Sequence, residues 1–99
     1  MMIELIKGEK RLIPMVVTRR RKKEEFEIES VNCEVYDRDN NLLETGKGEI
    51  NESYKEIYYL LDTTRDDYVI GKNYTVVFTV KIISLPKIIK GERIVKIRR

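Results

Sequence analysis

The chain has 99 residues, 41% hydrophobic and 37% charged, enough to close one core and too few for a second domain. Alanine, histidine, glutamine and tryptophan are absent, so the commonest helix filler is missing, and so is the imidazole that most often serves as base or metal ligand. A single cysteine excludes an intrachain disulfide, and a formal charge of +3 is too small to point to a polyanion partner by itself.

Thirteen isoleucines, nine valines and six threonines make 28 of the 99 positions β-branched, which favours pleated sheet. Most of the charge is lysine, arginine and glutamate. With glutamine and histidine missing, this composition resembles that of proteins from heat-loving organisms, and an AT-rich genome gives some of the same bias. The first residues, Met1 to Lys7, contain no apolar signal core, and the uncharged apolar runs are far too short to span a bilayer. A soluble protein with no secretion signal and no membrane partner is expected.

In chain order, residues 2–6 are short and apolar and end at Lys7-Gly8, as a first edge strand or arm would. Residues 11–18 are apolar on both faces, and Pro14 marks an edge position or a bulge because it cannot donate to a ladder. Residues 19–25 form a charged connection, and Phe26 leads into a strand that places Val31, Cys33 and Val35 inward and Asn32, Glu34 and Tyr36 outward. Asp37-Arg38-Asp39-Asn40-Asn41 is a turn. Residues 42–50 read as the return strand of a hairpin, with Gly46 and Gly48 suggesting a bulge or bend.

Asn51-Glu52-Ser53 turns into a strand at 54–61, where Ile57, Tyr59 and Leu61 oppose Tyr58 and Leu60. Residues 62–67 leave the sheet. Gly71 then opens the clearest signal of the chain, in which Tyr74, Val76, Phe78, Val80 and Ile82 alternate with Thr75, Val77, Thr79 and Lys81. A loop around Leu85-Pro86-Lys87 precedes a last strand at 90–98 with Val95 and Ile97 inward. Turn signals about every ten residues and no 3.6-residue stripe predict an all-β fold, an antiparallel β-sandwich of six to eight strands in one domain.

The order Val31-Asn32-Cys33-Glu34-Val35-Tyr36-Asp37, a turn, Leu43-Glu44-Thr45-Gly46, Glu56-Ile57-Tyr58-Tyr59-Leu60-Leu61-Asp62-Thr63, then Gly71, Tyr74 and Phe78 resembles the immunoglobulin-like module that opens phage and prophage baseplate upper proteins. The likeness covers roughly residues 10 to 98. It departs at the hairpin turn, which has no Gly, and in lacking the two cysteines and tryptophan of antibody domains. The resemblance implies an immunoglobulin-like sandwich acting as a virion or assembly component in the virion or the host cytoplasm, with other virion proteins or a second copy as partners. Tyr74 is similar to the tyrosine-corner position of such folds, and a core aromatic with a wet tip explains it equally well.

Arg19, Arg20, Arg21, Lys22 and Lys23 are the strongest local charge signal and the first candidates for an anion or partner contact. With Lys90, Arg93, Lys96, Arg98 and Arg99 they would form a basic patch if the fold joined them. Glu24, Glu25, Glu27 and Glu29 follow directly and no aromatic platform is interleaved, so a solvated loop is favoured over a nucleic-acid site. A basic β-barrel binding nucleic acid is the alternative reading, and a carbohydrate-binding sandwich is disfavoured by the lack of tryptophan.

The Asp37 segment and the trio Asp62, Asp66 and Asp67 read as turn chemistry, since the central Gly and distal Glu of a calcium loop do not follow. Cys33 reads as a small core hydrophobe with no base to activate it. No enzyme activity, metal or cofactor is expected. Tyr36 and Tyr58 face outward by parity and are the candidate interface residues. The expected function is therefore a non-catalytic structural or protein-interaction module.

Overall fold

The computed structural model describes residues 2–17, 27–51, 56–83 and 88–99. Eight strands follow in order: β1 (Met2–Ile6), β2 (Lys10–Val16), β3 (Ile28–Tyr36), β4 (Leu42–Lys47), β5 (Glu49–Asn51), β6 (Glu56–Asp62), β7 (Asn73–Ile82) and β8 (Ile88–Arg98), with no helix among the described residues. They form a five-stranded sheet, β1-β8-β7-β3-β4, and a three-stranded sheet, β2-β6-β5. Every ladder is antiparallel except β1 on β8, which is parallel.

Alternation on β7 does what the sequence predicts, burying Tyr74, Val76, Phe78, Val80 and Ile82. Its neighbours bring matching apolar residues to the same face. Cys33 lies opposite Phe78 and Val35 opposite Val76 on one side, and Val95 lies opposite Tyr74 on the other. Ile13 of β2 and Ile57, Tyr59 and Leu61 of β6 close the core from the second sheet. Assigned by position, β3, β7 and β8 are the C, F and G strands with β4 as an added C′, and β2, β6 and β5 are B, E and D. That is the immunoglobulin-like order.

The expected bent return strand at 42–50 is corrected to two strands in different sheets. Gly48 still donates its N–H to the Val31 carbonyl at 2.8 Å, yet the next three residues pair with β6. The crossing brings the backbone so close to β3 and β6 that a Cβ at Gly48 would lie 2.7 Å from Val31 Cγ1 and 3.1 Å from the Tyr58 carbonyl oxygen. Only glycine fits there without movement.

Pro14 sits, as expected, on an edge strand. Its carbonyl accepts from Arg93 Nε of the opposite sheet at 3.1 Å, and Met15 beside it fills the space over Gly91. Along β1 the Ile6 N–H donates to the Glu9 carboxylate at 2.7 Å and the Glu4 carbonyl accepts from Arg11 at 3.3 Å. This side of the sandwich is therefore closed to strand addition by a proline and by side-chain caps.

The loops are held by their own side chains. Asp37 accepts from the backbone N–H groups of Asp39 at 2.8 Å and Asn41 at 2.9 Å, and Asn40 takes the left-handed φ of 63° that Asn tolerates. Tyr74 settles between its two readings as a tyrosine corner. Its hydroxyl donates to the Asp67 carbonyl at 2.9 Å and accepts from Val69 N–H at 2.8 Å, and its ring meets Tyr68 edge-on at 5.0 Å.

Candidate interaction surface

The residues turned away from the core form two outer faces. On the three-stranded sheet the ladder sets Lys10 beside Asp62, Leu12 beside Leu60, Pro14 beside Tyr58, and Val16 beside Glu56. Leu12, Val16 and Leu60 are 43%, 50% and 53% exposed. Glu49 and Asn51 of β5 complete the last two rows. This is an apolar patch with an acidic end.

On the five-stranded sheet one row crosses all five strands: Met2, Ile94, Thr75, Tyr36 and Leu42. Met2, Ile94 and Leu42 are again about half exposed, at 44%, 44% and 52%. A shallow depression of about 290 Å³ lies along this row, lined by Tyr36, Asn40, Thr75, Val77 and Glu92. Single exposed apolar residues are ordinary; their alignment in rows is what makes these faces the candidate surfaces.

Tyr36 and Tyr58 are both partly exposed, and the fold puts them on opposite outer faces, not on one. Each hydroxyl donates to the glutamate two residues earlier on its own strand, Tyr36 to Glu34 at 2.7 Å and Tyr58 to Glu56. That bond to a carboxylate is the main reason both phenols titrate above their ordinary value. It also holds the rings in place, so each is presented with little rotamer freedom left to lose.

The other candidates are placed as follows. Residues 19–23 lie outside the described residues, as do Phe26, Tyr54 and the loop at 85–87. Of the β8 cations, Lys90, Lys96 and Arg98 share the outer face, while Arg93 is turned to β2 through its bond to Pro14. Asp37 and Asp62 titrate low because loop amides and a hydroxyl bond to them, chiefly Asn41 for Asp37 and Thr64 for Asp62. Among the described residues no group of three metal-ligating side chains converges. Cys33 is buried against Phe78, and desolvation pushes its thiol up to about 12, which leaves it inert as a nucleophile at neutral pH.

One cluster escaped sequence reasoning. Glu44 of β4 faces inward and accepts from the Tyr59 hydroxyl at 2.9 Å and from the Arg65 guanidinium. Tyr68 lies in the field of the same carboxylate, and burial first, Glu44 second, raises its phenol. Even so, the buried Tyr68 oxygen makes no hydrogen bond of acceptable geometry. The cluster ties β4, β6 and the loop after β6 together, and Thr63 does the same for the β1–β2 turn, donating to the Glu9 carbonyl at 2.6 Å and accepting from Gly8 N–H at 2.9 Å. Nothing in the spacing of seventeen acidic residues singles out Glu44.

Compared with known proteins, the chain matches no family model, no curated protein and no solved structure.

Proposed function

We propose that the chain is a non-catalytic protein-interaction module, a structural component of a phage or prophage virion or of its assembly. The observation that carries this reading is the pair of outer faces, each with an aligned row of half-exposed apolar side chains and one carboxylate-pinned tyrosine. Large exposed aliphatics and aromatics on a pre-organised sheet favour association at low entropy cost. The immunoglobulin-like strand order is compatible with the phage-module resemblance in the sequence, and that resemblance supplies the virion part of the proposal.

Co-expression with the products of the flanking genes tests it. A stable 1:1 or higher complex, weakened by Leu60→Lys or Ile94→Asp, is expected. Micromolar DNA binding at about 150 mM salt, abolished by changing Arg19, Arg20 and Arg21 to Ser, would replace this reading with a nucleic-acid one.

A further inference from the structure

The two outer faces are complementary to each other. On the three-stranded sheet, successive rows read Lys10 with Asp62, Leu12 with Leu60, Pro14 with Tyr58 and Glu49, then Val16 with Glu56. On the five-stranded sheet they read Glu4 with Lys96, then Met2, Ile94, Thr75, Tyr36 and Leu42, then Glu92, Val77, Glu34 and Thr45, then Lys90, Thr79, Asn32 and Lys47. Laid with β2 over β1, β6 over β8 and β5 over β7, Lys10 meets Glu4 and Asp62 meets Lys96, Leu12 meets Met2 and Leu60 meets Ile94, and Glu56 meets Lys90. The third row is the weak one: Tyr58 meets Glu92, and Glu49 meets Val77 with Glu92 and Glu34 on the strands either side of it.

The net charges agree with this. Outward strand residues of the small sheet carry one cation, Lys10, against Glu49, Glu56 and Asp62. Those of the large sheet carry Lys47, Lys81, Lys90, Lys96 and Arg98 against four glutamates, one of which, Glu29, pairs with Lys81 at 3.7 Å. Either face packed on its own copy would set like net charge on like.

We propose that the occupant of each outer face is the opposite outer face of a second copy of this chain. The contact is head-to-tail, so it does not close at a dimer and copies stack into a linear array. This rests on the interaction-module reading and names its partner. Two strands of seven residues and one of three cover less than roughly 14 by 24 Å, well under the ~800 Å² per partner of a standard interface, so a single contact is weak and stacking depends on concentration.

Sedimentation velocity from about 10 µM to about 1 mM reads the outcome. The wild type is expected to gain mass with concentration and to pass the dimer without a plateau, less so at high salt. Leu60→Lys and Ile94→Asp, both at exposed positions, are each expected to stay monomeric, and their mixture to form a heterodimer and stop there. Leu12→Lys and Leu42→Asp repeat the pair if circular dichroism shows either first variant unfolded. Glu49→Gln is expected to strengthen stacking at least twofold. A mixture that stays monomeric, or Ile94→Asp that still dimerises, overturns the head-to-tail contact. A monomeric wild type that binds a flanking-gene product through Leu60 overturns the stacking and leaves the module reading standing; a monomer that binds none of them removes both.

Discussion

The Tyr59 hydroxyl donates to the Glu44 carboxylate across 2.9 Å, from β6 of one sheet to β4 of the other. It joins the two layers at the point where β4 is about to change sheets, and Arg65 binds the same carboxylate from the following loop. Tyr59→Phe is expected to cost about 1.5 to 3 kcal/mol in urea melts, since a charged acceptor is involved. Glu44→Ala, which leaves the Tyr59 hydroxyl unpaired and Arg65 with Asp67 alone, is expected to cost more. A double-mutant cycle of the two gives the coupling directly.

Tyr68 provides the opposite case. Its hydroxyl is buried and without a hydrogen bond, so Tyr68→Phe deletes an unsatisfied group and keeps the edge-on contact with Tyr74. The variant is expected to be neutral or more stable by up to about 1 kcal/mol. A loss above about 1 kcal/mol would show that the oxygen does have a partner in solution.

Tyr74→Phe removes two bonds to the loop backbone, at Asp67 and Val69. A cost of about 1 to 3 kcal/mol is expected, with faster amide exchange at Val69 and Gly71 and none of the change reaching β4.

Phe78→Ala opens a cavity at the centre of β7, where the side chain is fully buried. About 3 to 5 kcal/mol is expected, enough to leave a domain of this size close to its unfolding threshold at ambient temperature.

Asp37 gives a pH signature. Asn41 and Asp39 hold its carboxyl below the ordinary value of 3.8. A depressed folded pKa means the turn's contribution is present above about pH 4 and is lost as pH falls through the lower folded value. Asp37→Asn is expected to flatten that part of the acid limb in melts taken between about pH 5 and pH 2, with the melt at pH 7 shifted only by the bonds lost.

Much of this arrangement is legible from residues alone, for physical reasons. Alternation at residues 74–82 needs only a period of two, and Val31, Cys33 and Val35 share a parity that one buried face requires. Pro14 excludes a central strand, and the outward direction of Tyr36 and Tyr58 follows from their neighbours. What parity does not carry is which strand lies beside which. Gly46-Lys47-Gly48 announces a bend, but the change of sheet depends on the distance between Val31 and the Tyr58 carbonyl, set by residues far apart in sequence. For the same reason parity turns Tyr36 and Tyr58 outward without placing them on different faces, and Glu44 becomes a core acid only once Tyr59 and Arg65 are folded against it.

The parallel pairing of β1 on β8, with Met2 beside Ile94 and Ile6 beside Arg98, bears on mechanics. Tension entering through Met2 and leaving through Arg98 would pull the two strands along their length in opposite directions. Their ladder bonds would then be loaded in shear, all at once, instead of unzipped one by one. A force applied that way would have to break this ladder before it reached the core behind it, so the β1–β8 ladder would set the resistance of the sandwich to a pull between those two residues.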